Sequence, residues 1–174
     1  MNYFISTGEL SGDLHASYIV EKIKNLDKNA KVYAIGEMNL KKQHVEIVKD
    51  IESLAIMGFV EVVKNFNKLK KVLEETVEFI LSNNIDRVVL VDYGGFNLKL
   101  LERLKLKKPS LKITYYIPPK VWIWGKKRVP KIAKADEILV IFQWEVDFYK
   151  KENVKALYFG NPYMEKYEKI TTKV

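Results

Sequence analysis

The stretch RVVLVDYGGFN, residues 87–97, decides the fold that this sequence predicts. Residues 88–91 form a continuous run of valine and leucine, which is typical of a central strand in a parallel sheet covered on both faces. The run ends at Asp92, and Gly94 and Gly95 follow. We therefore expect a buried strand that opens into a glycine turn, with a carboxylate at its carboxyl end.

On both sides of this stretch, short apolar runs alternate with segments of helical period, a pattern typical of βαβ units. Strands are predicted at residues 3–6, 31–35, 45–48, 88–91, 113–117, 138–142 and 156–159. Helices are predicted at residues 58–81, 98–106, 126–135 and 145–152, and after Ser11, which is expected to cap the first helix. The sequence thus predicts one α/β domain with a doubly wound, mostly parallel, Rossmann-like sheet.

Composition narrows the possible classes of protein. With 174 residues, 48% of them hydrophobic and 30% charged, the chain fits one folded domain. It has no cysteine and only two histidines, which excludes disulfides and disfavours a metal centre. The net charge of +8 favours anionic partners such as phosphorylated ligands, nucleic acid or an acidic lipid surface. The first residues lack the basic start of a signal peptide, so a cytoplasmic location is expected.

Three segments follow predicted strands, at the places where ligands bind to open α/β sheets. The first two are polar. The first, residues 8–15, contains Glu9, Ser11 and Asp13, which suit sugar hydroxyls better than a pyrophosphate. A tight turn with a capped helix is the alternative interpretation. The second contains Asp92, which is placed to accept a proton from a bound hydroxyl as a general base. Here the alternative is an aspartate that merely caps the next helix.

The third segment, residues 118–128, carries two tryptophans, Trp122 and Trp124, close to Arg128 and other cations. Such a group can stack on sugar rings, hold a phosphate or lie at a membrane interface. It also suits single-stranded nucleic acid, and the alternative is a tryptophan pair packed beneath a basic helix.

The long helix predicted at residues 58–81 has an apolar stripe that is typical of a core-facing helix. Its first half contains Val60, Val63 and Phe66 among several lysines, a composition also found in helices that lie in a lipid headgroup layer. The pattern leaves both interpretations open, and we state membrane docking through these three residues as a hypothesis.

Taken in order, these segments resemble the lipid-A-disaccharide synthase family over residues 8–162, almost the whole chain. The matching motifs are Gly8-Glu9 with Ser11-Gly12-Asp13, the stretch at 54–63, Asp92 with Phe96-Asn97, Pro119 to Trp124 with Arg128, Glu145 with Phe148-Tyr149, and Gly160-Asn161-Pro162. The chain departs from the family pattern at Tyr93-Gly94-Gly95, where a second carboxylate is usual, at Gly36-Glu37-Met38, at Gln143-Trp144 and at Asn161.

The resemblance implies that residues 1–174 are the amino-terminal, acceptor-side half of a GT-B glycosyltransferase. It implies that the carboxyl-terminal domain, which binds the donor nucleotide, is not part of this chain. It implies inverting transfer of 2,3-diacylglucosamine from its UDP donor to 2,3-diacylglucosamine 1-phosphate in lipid A biosynthesis. No metal or other cofactor is expected, nor is nucleic acid. The resemblance further implies that Asp92 is the catalytic base and that substrate contacts come from Glu9, Ser11, Asp13, Asn97, Trp122, Trp124 and Arg128.

For its partners and location, the resemblance implies an anionic membrane surface and a peripheral place on the inner face of the bacterial inner membrane. It also implies that this chain alone has no transferase activity, because half of the cleft lies in the other domain. Two other functions remain open from the residues themselves. One is a stand-alone nucleotide-binding module, and the other is a single-stranded nucleic-acid-binding domain.

Overall fold

The structure is a computed structural model that describes residues 1–51, 62–123, 125–161 and 164, with residues 62–66 described in backbone only. Its seven strands form one sheet in the order β3-β2-β1-β4-β5-β6-β7, and every neighbouring pair is parallel. The strands are β1 (Asn2–Ser6), β2 (Lys31–Gly36), β3 (Glu46–Asp50), β4 (Arg87–Val91), β5 (Lys112–Tyr116), β6 (Glu137–Val140) and β7 (Leu157–Tyr158). The predicted doubly wound, Rossmann-like fold is confirmed.

Helices connect these parallel strands, as right-handed crossovers require. They are α1 (Leu10–Leu26), α2 (Met38–Lys42), α3 (Val62–Ser82), α4 (Gly94–Lys107), α5 (Val129–Ile132) and α6 (Gln143–Lys151), with a 3₁₀ turn at Lys126–Arg128 before α5. The predicted helix at 58–81 is described from Val62 onward, and residues 58–61 lie outside the described residues. None of the helices in the described ranges is both long and apolar enough to cross a membrane.

Several predicted boundaries were wrong, including those of three helical segments. The first helix begins at Leu10 with Glu9 in the N-cap position, so Ser11 lies in the first turn and does not cap it. Helix α4 begins at Gly94, not at residue 98, because the two glycines form its first turn. The basic segment at 126–135 is divided between the 3₁₀ turn and the short helix α5.

Strand β4 lies at the centre of the core, between β1 and β5. Its alternate side chains serve two clusters: Val88 and Leu90 pack with residues of α3 and α4, whereas Val89 and Val91 pack with residues of α1. All four valine and leucine side chains are buried. Burial on both faces explains why this strand is an uninterrupted apolar run.

The chain changes direction between β1 and β4. From β1 the sheet grows toward β2 and β3, whereas from β4 it grows toward β5, β6 and β7. Open α/β sheets bind ligands at the carboxyl edge where the strand order reverses, so we expect a ligand crevice beside the ends of β1 and β4. Residues 7–9 and residues 92–93, including Asp92, follow these two strands.

Candidate functional site

Three sequence-distant segments meet at the carboxyl edge of the sheet. Gly8, after β1, lies so close to the ring of Tyr93, after β4, that a Cβ on Gly8 would overlap it. Gly94 is packed in the same way against the ring of Pro119, after β5. These two close approaches require glycine, and they place the loop after β1, Asp92 and the segment that begins at Pro119 along one edge.

Asp92 adopts an unusual backbone conformation at this edge. Its φ of 47° and the φ of 46° at Tyr93 both lie in the left-handed region, which costs about 1–3 kcal/mol for each non-glycine residue. Its main-chain nitrogen donates to the oxygen of Tyr116 at 3.1 Å. Its main-chain oxygen accepts bonds from Asn97 Nδ2 at 2.9 Å and from Tyr115 Oη at 3.0 Å. These bonds hold the turn that directs the half-buried Asp92 side chain away from the strand.

The surroundings of Asp92 make its carboxyl group more basic. Burial is the largest cause that raises the pKa of Asp92, and the negative charge of Glu9 raises it further. A hydrogen bond from the main-chain nitrogen of Tyr93 and the positive charge of Lys120 oppose this rise. Glu9 and Lys120, one from each of the other two segments, therefore both act on Asp92. A carboxylate with a raised pKa is better suited to take a proton near neutral pH.

Asn97 is fully buried beneath this turn. Its Oδ1 accepts from Ser6 Oγ at 2.7 Å, and its Nδ2 donates to the main-chain oxygens of Ser6, Val91 and Asp92 at 2.9–3.2 Å. The side chain joins the ends of β1 and β4 and has no surface for a ligand. The observed contacts give Asn97 a positioning role, and its substrate contact stays a prediction.

The polar residues of the first loop have different surroundings. Asp13 is fully buried, and its carboxylate accepts from the main-chain nitrogens of Glu37 at 2.7 Å and Asn39 at 2.8 Å. These bonds cap the amino end of α2 and give Asp13 a structural role, and its substrate contact stays a prediction. Glu9 and Ser11 are exposed beside the crevice, where a ligand can reach them.

In the third segment, Trp122 lies next to a second indole that sequence reasoning did not select. The rings of Trp122 and Trp144 are 4.6 Å apart in an edge-to-face arrangement. Arg128 is exposed in the 3₁₀ turn. The positive charge of Arg128 acts on the buried hydroxyl of Tyr115 and lowers its pKa. This effect opposes burial, the largest cause, and the charges of Asp92 and Tyr149, which raise that pKa. Trp124 lies outside the described residues.

Sequence reasoning missed Tyr115 and Lys120 as members of the site. Tyr115 reads as an ordinary strand residue, and only the pairing of β4 with β5 brings its hydroxyl to Asp92. Lys120 lies in the segment 118–128, which contains Trp122 and Trp124. Its charge acts on both Asp92 and Glu145. The only feature of the sequence that indicated a role for Lys120 was its position directly after the two prolines that follow β5.

The described cavities lie away from Asp92. A volume of about 330 Å³ opens between α3 and α4, and one of about 370 Å³ opens on the sheet face beside α1. Asp92 lines neither of them. Among the residues that the structure describes, no group of three or more histidine, aspartate or glutamate side chains is arranged to hold a metal ion.

Comparison with known proteins gives one consistent family. Residues 3–174 match the family model described as lipid-A-disaccharide synthetase. The lipid-A-disaccharide synthase of Geobacter metallireducens is 36% identical over 159 residues, covering 91% of this chain and 41% of the relative. Its counterpart in Persephonella marina is 36% identical over 166 residues, covering 93% and 42%. The chain thus spans about two fifths of the length of the curated relatives it matches.

One solved structure supports the fold independently of sequence. The crystal structure of Acinetobacter baumannii MurG superposes with a TM-score of 0.58 over 92% of this chain and 45% of that chain. The identity is only 9%, so the likeness concerns the fold alone. It agrees with the doubly wound fold that the sequence predicts for one half of a GT-B protein.

Proposed function

Because the chain belongs to the lipid-A-disaccharide synthase family, we propose that it supplies the acceptor-side half of a glycosyltransferase active site in lipid A biosynthesis. In this proposal, the enzyme transfers 2,3-diacylglucosamine from its UDP donor to 2,3-diacylglucosamine 1-phosphate, with inversion. The relatives are long enough to contain a second, carboxyl-terminal domain. In this proposal, that domain binds the donor nucleotide across the crevice. The names of the relatives and the share of their length that this chain covers support both statements.

The observation that carries the proposal is the position of Asp92 directly after β4, where the strand order reverses beside β1, half-buried and with a raised pKa. Its carboxylate accepts the proton of the acceptor 6-hydroxyl as that oxygen attacks the anomeric carbon of the donor. The bond from that carbon to the UDP oxygen breaks on the opposite face, and UDP leaves with the bonding electrons. Attack opposite the leaving group inverts the anomeric centre, and a positioned base contributes about 10²–10⁴ in rate.

The other residues act around this proton transfer. Exposed Glu9 raises the pKa of Asp92 through its negative charge and, with Ser11, is available to acceptor hydroxyls. In the proposal, Trp122 and Trp124 contact the acceptor, and Arg128 is a cation for the acceptor phosphate. Asn97 and Asp13 position the two loops.

Catalysis by Asp92 is tested in a protein that joins this chain to the carboxyl-terminal portion present in the Geobacter metallireducens relative. We expect Asp92→Asn to lower kcat by about 10²–10⁴ with little change in KM, because Asn cannot accept the proton. Exposed Asp147 on α6 provides a matched control, since Asp147→Asn makes the same chemical change away from the crevice. Normal turnover by the Asp92→Asn protein would remove Asp92 from the mechanism. The chain by itself is expected to show no turnover.

We also propose that Val60, together with Val63 and Phe66, docks the enzyme on an anionic membrane at the inner face of the bacterial inner membrane. Exposed Lys68, Lys70 and Lys71 on the next turns of α3 and the net charge of +8 support this placement. Val60 and the side chains of Val63 and Phe66 lie outside the described residues.

Membrane docking is tested by co-sedimentation with vesicles that contain phosphatidylglycerol. We expect the triple change Val60→Ser, Val63→Ser and Phe66→Ser to reduce the bound fraction, and added salt to weaken binding of the unchanged chain. Leu106→Ser is the control, because Leu106 is 75% exposed near the far end of α4. Equal binding by the triple variant would contradict the proposal.

Calorimetry distinguishes this function from the two alternatives. In the proposal, the chain binds glucosamine 1-phosphate and has little affinity for UDP, whose site lies in the other domain. Tight UDP binding by this chain would favour a nucleotide-binding module. Salt-dependent binding of single-stranded oligonucleotides would favour a nucleic-acid-binding domain.

A further inference from the structure

An aromatic patch with no assigned role lies at the carboxyl ends of β5 and β6. It consists of Trp122, Ile123, Phe142, Trp144 and Phe148. Trp144 is 48% exposed, Phe142 is 40% exposed and Ile123 is 56% exposed. The rings form a continuous group, because Trp144 lies 4.6 Å from Trp122 and is stacked on Phe142 at 6.1 Å, while Trp122 lies 6.2 Å from Phe148. Large apolar side chains exposed together usually mark a binding surface.

The aromatic patch is bordered by positive charge. Lys126 lies over the ring of Phe148, 5.8 Å from its centroid, and forms an ion pair of 2.9 Å with Glu152. The next two residues, Lys127 and Arg128, are exposed and form no ion pair among the described residues. An apolar surface with unpaired cations at its border complements a molecule that has a hydrocarbon part and an anionic part.

The aromatic patch lies on the same edge as Asp92. The ends of β4, β5 and β6 are adjacent, because Val91 pairs with Tyr116 and Tyr116 pairs with Leu139. Two strand spacings correspond to about 10 Å, which a sugar ring and its first acyl carbons can span. Lys120 lies along this path, since its charge acts on Asp92 and on Glu145, the neighbour of Trp144.

We propose that the aromatic patch binds an acyl chain of the acceptor, with the acceptor phosphate held by Lys127 and Arg128. The inference rests on the proposed function, because it uses the acylated, phosphorylated acceptor to fill both parts of the surface. Charge favours this occupant over an uncharged apolar one, since exposed cations attract an anionic group such as a phosphate. The size of the surface favours one or two chains over a bilayer, because only three of its five large apolar side chains, Ile123, Phe142 and Trp144, are exposed.

The test compares two ligands that differ only in their acyl chains. Glucosamine 1-phosphate and its 2,3-dihexanoyl analogue, kept below its micelle concentration, are titrated into the chain by calorimetry. Because each methylene removed from water contributes to binding, we expect the analogue to bind at least about tenfold more tightly. In the double variant Phe142→Ser, Trp144→Ser, this gain is expected to disappear while affinity for the unacylated sugar stays the same.

Two further variants separate lost binding from lost folding. Trp144→Phe keeps an apolar ring at the surface and is expected to retain most of the gain. Phe159→Ser is the matched control, because Phe159 is 78% exposed outside the aromatic patch, and it is expected to retain all of it. An acyl-dependent gain that survives in the double variant would overturn the proposal.

A third ligand, hexyl phosphate, distinguishes failure of this inference from failure of the proposed function. If hexyl phosphate binds in a manner that requires Trp144 while neither sugar phosphate binds, the acyl site stands and the acceptor assignment fails. The acyl site is overturned if phosphatidylglycerol vesicles bind through Trp144 and no monomeric ligand does, because the occupant is then a membrane. It is also overturned if joining the carboxyl-terminal portion shields Trp144 from a fluorescence quencher, because the occupant is then that domain.

Discussion

The side-chain amide of Asn97 donates a hydrogen bond of 2.9 Å to the main-chain oxygen of Asp92, whose φ of 47° is left-handed. The same oxygen accepts the hydroxyl of Tyr115 at 3.0 Å. Two buried donors on one carbonyl oppose the strain of the left-handed turn. The main chain of the proposed base is therefore held by two buried side chains.

Replacement of this amide should destabilise the chain. Asn97→Ala leaves buried main-chain oxygens of Ser6, Val91 and Asp92 without a donor, so we expect the free energy of unfolding to fall by about 2–4 kcal/mol. Urea unfolding of the 174-residue chain measures the change. The control is Asn29→Ala, because Asn29 is exposed, and it should change stability by less than about 0.5 kcal/mol. Equal stability of the Asn97 variant and the control would show that these bonds contribute nothing.

Stability of the folded chain should depend on the charge of Asp92. Since its folded-state pKa is raised above the ordinary value of 3.8, the folded chain holds its proton over a pH range in which the unfolded chain has lost it. This contribution makes the free energy of unfolding decrease as pH rises through that range. Asp92→Asn removes the charge, so it should raise Tm at neutral pH, with a gain that shrinks as pH falls toward 3.8. A lower Tm at neutral pH would contradict burial as the main cause of the shift.

The two charged neighbours of Asp92 should change its pKa in opposite directions. Glu9→Gln removes a negative charge that raises the pKa of Asp92, so this pKa should fall. Lys120→Gln removes a positive charge that lowers it, so the pKa should rise. Carboxyl ¹³C chemical shifts of Asp92 followed over a pH titration measure both effects. Each variant controls for the other, and shifts of the same sign would mean that charge is not the cause.

The close approach of Gly8 to Tyr93 should make position 8 intolerant of a side chain. In Gly8→Ala, the added methyl group would overlap the Tyr93 ring and force the two loops apart, at a cost of about 1–3 kcal/mol. The matched control is Gly95→Ala, because Gly95 lies in the first turn of α4 with no atom within 4 Å of the added group. That change should stabilise the chain by about 0.4–1 kcal/mol. Thermal unfolding of both variants measures the difference, and equal effects would contradict the packing.

Much of the fold could be predicted from sequence because local patterns determine it. Burial of β4 on both faces requires the apolar run at 88–91, and the regular alternation of strands and helices requires a parallel sheet. Boundaries were harder to predict. Ser11 has the side chain of an N-cap, yet Glu9 occupies that position, because the preference of one residue is weaker than the packing of the whole helix.

The candidate site was only partly predictable for the same reason. Asp92 could be predicted as a site residue because a carboxylate directly after a buried strand is placed where open α/β sheets bind ligands. Asp13 and Asn97 looked equally polar in sequence, and only the folded chain shows that their atoms are used by the main chain.

The sequence by itself determined the order of strands and helices, the family, and the carboxylate at the end of the central strand, because these follow from periodicity and from motifs along the chain. Tertiary structure alone decided that Tyr115, Glu9 and Lys120 surround that carboxylate, and that Trp144 joins Trp122. Strand order brings these residues together, and strand order depends on burial across the whole sheet, a property that no single segment contains.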